Sequence, residues 1–441
     1  MNGIYYKNLI DLLVSRQKRR KRRENNNFII LESQDRSHPA GRKSYFAADP
    51  EIEFISWKNL NEIRTQGVRS VSSGNPWDVF SRIQRENPGW WFGYFGYDLK
   101  NRIVDLASLN DDPVSAPDLY MMQPQVLVEI DHTESKVTVL KGNRDSVLNI
   151  SNGADIHRNW KLTSFRGTVE RPVYEQKIRE SQNRIQEGDF YEINLSHQLQ
   201  AQFEGNPYDL YKEMRENGPV PFGAYLEIEN VRICSMSPER FLQKNGSDLM
   251  TQPIKGTAPR DNDVQLDILN REELRNEKNL AENLMIVDLV RHDLSKVSVE
   301  GSVRVTNLFE VQSFETLHQL ISTIQSTALP SLDPVEIIRN CFPMGSMTGA
   351  PKISVMKAID ELENYKRGIY SGAIGYFTPD NDFDFNVVIR TAIIVENSLY
   401  YSVGGAITSD SIPSNEWDET ILKAKALTGV LQKEKFISEK R

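Results

Sequence analysis

Four short strand signals, at 225–228, 231–236, 240–244 and 248–254, follow one another with almost no chain between them, and the last two flank Asn245-Gly246. Asn-Gly readily takes the two left-handed conformations of a tight hairpin turn, so it commits its neighbours to antiparallel pairing. A parallel pair would need a crossover of about a dozen residues or more, for which there is no room here. The run therefore reads as an antiparallel meander.

Helical spacing appears on both sides of it. Residues 172–187 carry such a pattern, closed by Gly188, and further helices are expected at 271–291, 333–340, 352–363 and 414–432. Strands are expected at 28–31, 90–97, 190–195, 372–377, 385–395 and 400–407, and a hairpin joins 125–129 to 136–140. Strands and helices in unequal runs give an α+β class, antiparallel sheets packed together and flanked by helices. At 441 residues the chain can bury one large core or roughly two to three ordinary ones. We divide it into a basic N-terminal arm at 1–27, an N-terminal region at 28–166 and a catalytic region at 167–435. The polar stretch 152–161 serves as linker, and the two regions are expected to form one intertwined unit.

Composition narrows the class. A chain 39% hydrophobic and 26% charged is that of an ordinary globular protein. No stretch approaches the roughly 18 apolar residues that span a bilayer, so a cytoplasmic protein with no membrane partner is expected. Cys234 and Cys341 form no Cys-x-x-Cys pair, which fits a reducing compartment. The six histidines lack zinc spacing, leaving an oxygen-ligated ion such as magnesium. Seven basic side chains crowd residues 16–23, against a net charge of −8 for the whole chain. Without a second basic cluster or a stacking aromatic strip, they read as a solvated arm and not as a nucleic-acid site. They follow the apolar 9–14 stretch instead of preceding it, which is not the order of a signal peptide.

Several residues could carry chemistry. Lys255, in Thr251-Gln252-Pro253-Ile254-Lys255-Gly256-Thr257, is an amine that could attack a substrate if desolvation or a neighbouring charge lowered its pKa. Glu239 lies sixteen residues earlier, across the Asn-Gly turn. Regular pairing sets Glu239 opposite Gln252 and turns Lys255 to the other face, so the two converge only if Pro238 or Gly256 breaks the ladder. Glu282 shares a helix face with Met285, Ile286 and Leu289, and a pair with Lys278 is its simplest explanation. Glu416, Glu419 and Lys423 form one stripe behind a Ser414 cap, where acids also complement the helix dipole. If these two acidic helices face each other they could share magnesium, which takes few carboxylates, waters and an anionic ligand. Arg390, in the alternating 386–391 stretch, is a candidate carboxylate clamp, and Gly404-Gly405 offers backbone N–H groups to an anion. The 345–352 stretch fails the Walker pattern, since no Gly-Lys-Ser/Thr is present.

Together, Ser237-Pro238-Glu239-Arg240-Phe241, Pro253-Ile254-Lys255-Gly256-Thr257, Ala281-Glu282-Asn283-Leu284-Met285-Ile286-Val287-Asp288-Leu289, Thr348-Gly349-Ala350-Pro351-Lys352 and Asp418-Glu419-Thr420 resemble, in order, component I of the chorismate-using synthases. The likeness covers about 168–432. Ile30-Leu31-Glu32-Ser33 and Phe95-Gly96-Tyr97-Asp98 extend it more faintly into the N-terminal half.

The resemblance implies Mg2+ held by Glu282 and Glu419, with Glu416 close by, gripping the ring carboxylate of chorismate. It assigns Arg390, Tyr370, Gly404, Gly405 and Ala406 to the enolpyruvyl carboxylate, and Gly256, Thr257 and Lys423 to further substrate contacts. Lys255 would attack C2 while Glu239 protonates the departing C4 hydroxyl, and ammonia would then attack C4 and expel the lysine. Ser33, Pro221 and Phe222 match part of a tryptophan pocket found in some relatives.

Four positions separate the branches. Anthranilate synthases usually carry alanine at Lys255, a histidine at Asn283 and a pyruvate-eliminating histidine at Gln319; His318 is one residue off. Glu192 stands where water-using isochorismate synthases have a base lysine and ammonia-using members usually have glutamine. We expect it to accept a hydrogen bond from incoming ammonium. The resemblance is thus strongest to the aminodeoxychorismate-forming branch, which serves p-aminobenzoate and folate synthesis. Anthranilate synthase is the alternative, and isochorismate synthase a more distant one. Neither cysteine sits in a glutaminase context, so a separate glutamine amidotransferase subunit is expected to supply ammonia.

Overall fold

A computed structural model of the chain describes residues 3–19, 26–34, 41–65, 67–148, 160–163, 165–314 and 317–438. The fold is α+β. One continuous antiparallel path of strands folds back on itself, and Phe28–Glu32 sits at its middle. Ile30 of this strand faces Phe46 on one side and Tyr225 on the other. One branch runs from Phe222–Ile228 through Val231–Ser237, Thr391–Val395 and Ser398–Ile407 to Glu192–Gly205. The other runs from Lys43–Trp57 through Leu119–Asp131, Trp91–Phe95, Ala373–Phe377 and Phe383–Asn386 to Arg240–Asn245, then on to Asp248–Gln252 and Leu317–Thr327.

The expected meander is therefore broken. Val231–Ser237 pairs with Thr391–Val395, whereas Arg240–Asn245 pairs with Phe383–Asn386. Two neighbouring strands cross from one branch to the other at the same level, through Pro238-Glu239 and through residues 387–390. Pro238 has no N–H for a ladder, and Arg390 takes a left-handed φ of 51°, so neither crossing can continue as regular strand. Met236 N–H to Arg390 O at 3.1 Å and Val387 N–H to Glu239 O at 3.0 Å hold the crossings side by side. The single strand expected at 385–395 is thus two.

Hydrophobic burial explains the layers. Trp77, Phe80, Trp91, Phe95, Phe377 and Phe385 pack as one aromatic cluster, with Trp77 stacked on Phe95 at 4.9 Å. At Gly93 any Cβ would stand 1.9 Å from the Tyr120 carbonyl, so only glycine lets these strands approach.

The helix expected at 172–187 forms as Arg171–Glu187, closed by Gly188 at φ 88°. The one expected at 271–291 is two, Val264–Glu273 and Glu277–Ser295, because Asn276 caps the second and its side chain accepts from Asn279 N–H at 2.8 Å. The solvated arm is corrected over residues 3–19, which form a helix with Leu9, Ile10, Leu13 and Val14 buried. Asp11 on it pairs with the buried Arg215, which also holds Glu32 at 3.1 Å. The rest of the basic run, at 20–23, and most of the 152–161 linker lie outside the described residues. No described helix is long and apolar enough to cross a membrane.

Candidate active site

The double crossing opens onto a cavity of about 790 Å³. Glu239 and Arg390 enter it from the two crossings, and Lys255 enters from the adjoining Ile254–Pro259 strand. Sequence pairing had set Glu239 opposite Gln252. In fact Arg240 takes that place, and a bulge between Arg240 and Gln243 shifts the register. Beyond Gln252 the chain leaves this hairpin, Pro253 offers no N–H, and Gly256 adopts φ 82°. The ladder is broken on both sides, so the acid and the amine face one space.

Glu239 is only 5% exposed. Burial pushes its carboxyl up to about 7, against the opposing pull of the Ser346 hydroxyl, Lys255, the Ile254 N–H and Arg390. Ser346 donates to it at 2.7 Å. This serine lies in the 345–352 stretch that resembles a phosphate loop and is not one. Composition gave no sign that it supports an acid.

Lys255 differs from expectation. Its Nζ donates to Glu192 Oε1 at 2.8 Å, and that carboxylate is 1% exposed. Burial works against the lysine's charge, but the Glu192 and Glu282 carboxylates outweigh it and raise its pKa instead of lowering it. The hydrogen bond expected from incoming ammonium is here donated to Glu192 Oε1 by Lys255.

The anion-binding candidates surround the same space. Tyr370, Gly404, Ala406, Gly256, Thr257 and Lys423 all line it. The Arg390 guanidinium makes no hydrogen bond or ion pair among the described residues, while burial lowers its pKa. A sequestered, unpartnered guanidinium favours an anionic ligand. Gly405 sits over the acids, since a Cβ there would stand 3.5 Å from Glu416 Oε2 and 3.9 Å from Glu419 Oε1.

Glu282 and the Glu416–Glu419 pair do come from facing helices, Glu277–Ser295 and Pro413–Ser438. Lys278 stands between them, 3.1 Å from Glu416 Oε1 and 3.8 Å from Glu282 Oε1. Glu282 Oε1 is buried with no hydrogen-bond partner, and burial raises that carboxyl's pKa despite Lys255 and Lys278. Lys423 approaches Glu419 at 2.6 Å and holds it below its ordinary range although burial pulls the other way. Among the described residues no three metal-ligating side chains already close around one point. The donor set still fits a hard cation that takes one or two carboxylates and completes its shell with water and an anionic ligand.

Two branch-deciding positions are distinct in space. Gln319 lines the cavity. His318 turns away, with Nδ1 2.8 Å from Ser313 and Nε2 2.9 Å from Asp267. Asn283 is buried and accepts from the Ser322 hydroxyl. Ser33, Pro221 and Phe222 lie elsewhere and none lines the cavity; the ring of Phe222 is covered by the Arg240 guanidinium at 5.1 Å.

Comparison with known proteins is consistent across sequence and structure. The family described as chorismate binding enzyme matches residues 26–429. Aminodeoxychorismate synthase component 1 of Salmonella typhimurium is 34% identical over 421 residues, covering 92% of this chain and 93% of that protein. Anthranilate synthase component 1 of Thermus thermophilus is 32% identical over 349 residues, 76% of each. The crystal structure of anthranilate synthase component I from Streptococcus pneumoniae matches with a TM-score of 0.78 at 27% identity, covering 88% of this chain and 92% of that one.

Proposed function

The chain belongs to the chorismate binding enzyme family, and on that premise we propose that it is an aminodeoxychorismate synthase component I, making 4-amino-4-deoxychorismate from chorismate and ammonia. The observation that carries this is Lys255 and Glu239 opening into one cavity whose wall at the branch-deciding position is Gln319. A lysine, held as an ammonium by its carboxylate neighbours until a proton is removed, shares this space with an acid whose carboxyl titrates near neutrality.

In this proposal Arg390, Tyr370 and the Gly404-Gly405-Ala406 backbone receive the enolpyruvyl carboxylate. Gly256, Thr257 and Lys423 make further contacts. Glu282 and Glu419, with Glu416 close by, hold Mg2+, which when bound supplies positive charge to the ring carboxylate. Lys255 Nζ forms a bond to C2 as the C4–O bond breaks, and Glu239 gives its proton to the departing hydroxyl, which leaves as water. Ammonia then bonds to C4 as the C2–N bond breaks. The Gln319 amide is no base at neutral pH, so the enolpyruvyl group stays on the product. A glutamine amidotransferase subunit supplies the ammonia, and the product feeds p-aminobenzoate and folate synthesis.

The test is to incubate the protein with chorismate, magnesium and an ammonium salt and to identify the product by mass and chromatography. Aminodeoxychorismate is expected. Anthranilate with pyruvate, or isochorismate, would overturn the proposal.

A further inference from the structure

As it rests, Lys255 has no lone pair to offer. Its side chain is 10% exposed and bonded to Glu192, and the surrounding carboxylates favour the ammonium form. Attack on carbon has to wait until a base removes one proton. Glu239 cannot be that base, because its own role needs it protonated. Glu282 makes no hydrogen bond to the amine among the described residues, whereas Glu192 does, at 2.8 Å.

The setting of Glu192 suits a proton acceptor. It begins the Glu192–Gly205 strand, paired with Ala350 across the sheet, and lies behind Lys255 and away from the cavity space. Its Oε2 is buried with no hydrogen-bond partner. One oxygen thus holds the amine and the other is left with an open hydrogen-bonding position, so the carboxyl group has room to carry a proton without losing a contact. The charged groups around the pair are Glu282 on the Glu277–Ser295 helix, Glu239 at the crossing, Glu419 on the Pro413–Ser438 helix, and Lys278 beyond Glu282.

We propose that Glu192 is a catalytic residue, the base that takes a proton from Lys255 before attack and returns it when the lysine is expelled. This deepens the proposed function and rests on it. In the first half, the Lys255 ammonium gives one proton to Glu192, its freed pair bonds to C2, and Glu239 protonates the hydroxyl leaving C4. The products are water, a secondary ammonium on C2, neutral Glu192 and ionised Glu239. In the second half ammonia bonds to C4, the lysine leaves as a neutral amine and takes back the Glu192 proton, and Glu239 recovers its proton from the new C4 ammonium. The net change is chorismate plus ammonia to aminodeoxychorismate plus water.

The experiment compares the full chain with its Glu192→Gln and Glu192→Asp variants in magnesium and ammonium salt, reading kcat, KM for chorismate and the pH profile of each. Glu192→Gln should lower kcat at neutral pH by roughly 100-fold, the low end for a lost general base. Its KM should change by no more than about twofold, as expected for a group that binds no substrate. Its rate relative to the wild type should climb with pH, because solvent must now take the lysine's proton while the dependence on Glu239 and on free ammonia is common to both. Glu192→Asp, which keeps a carboxylate, should recover part of kcat and flatten the profile taken relative to the wild type. A Glu192→Gln enzyme with wild-type kcat and profile overturns the inference, as does an equal kcat loss at every pH, the mark of a merely structural role. If the glutamine variant does not fold, a Glu192→Ala variant with wild-type kcat and pH profile overturns it instead. Failure of the wild type to make aminodeoxychorismate is a different result, which removes the proposed function and this inference together.

Discussion

Glu239→Gln should cost the protein its activity and, above neutral pH, make it more stable relative to the wild type than it is in acid. The native carboxyl is pushed up to about 7 by burial, while an unfolded glutamate titrates near its ordinary 4.5. Between those values the native state binds a proton that the unfolded chain has released. Stability from this group is therefore full below about 4.5 and is lost as pH rises through 7. Integrated from pH 5 to pH 8, the loss is about 2.5 kcal/mol. Glutamine carries no charge at any pH and can still accept the Ser346 hydroxyl. Its amide meets the Ile254 N–H unfavourably, a penalty of about 1 kcal/mol that does not vary with pH. Urea unfolding of both proteins at pH 5, 6, 7 and 8 isolates the effect, because other titrating groups cancel in the difference. The stability difference should shift by about 2.5 kcal/mol in favour of glutamine from pH 5 to pH 8. A difference that stays flat within about 0.5 kcal/mol would mean that Glu239 is not held as an acid, and its assignment as proton donor would fail.

Other expectations follow from neighbouring contacts. Arg390→Lys should raise KM for chorismate by roughly tenfold or more in steady-state assays, since an ammonium cannot reproduce the paired donors of a guanidinium. The adjacent glycines should respond oppositely. A Cβ at Gly404 would lie 2.6 Å from the Leu195 carbonyl, so Gly404→Ala should lose about 1–3 kcal/mol in urea unfolding. A Cβ at Gly405 meets only ordinary contacts with Glu416, Glu419 and Lys423, so Gly405→Ala should keep its stability while shifting the magnesium activation curve to higher concentration. Arg215→Ala leaves the buried Glu32 and its neighbour Asp11 without their cation, and denaturant unfolding should register a loss of about 3–5 kcal/mol.

Local pattern carried much of this protein, and long-range pairing carried what it did not. The 171–187 helix and its glycine stop, the Asn245-Gly246 hairpin and the strands around it were legible because turn chemistry and periodicity act over a few residues. That Val231–Ser237 would turn from Arg240–Asn245 to the distant strand Thr391–Val395 was not, since alternation fixes a strand's faces but not its partner. The three strands between Lys43 and Ser73 and the helix Pro76–Glu86 went unread, as did the hairpin of Arg304–Ser313 with Leu317–Thr327. The candidate site residues were recognisable as strings, and their convergence on one cavity depends on a bulge and two crossings that no spacing rule encodes. The Lys255–Glu192 contact joins residues 63 apart in the chain, and nothing near either one announces it.

The most direct test of the account is the state of Lys255 itself during the reaction. The protein is mixed with chorismate and magnesium without ammonia, quenched in acid and analysed by intact mass and peptide mapping. The account predicts a chorismate-derived adduct, formed with loss of water, on the peptide bearing Lys255, discharged when ammonium is added and absent from Lys255→Ala. Aminodeoxychorismate formed at an undiminished rate by Lys255→Ala, with no adduct in the wild type, would contradict it.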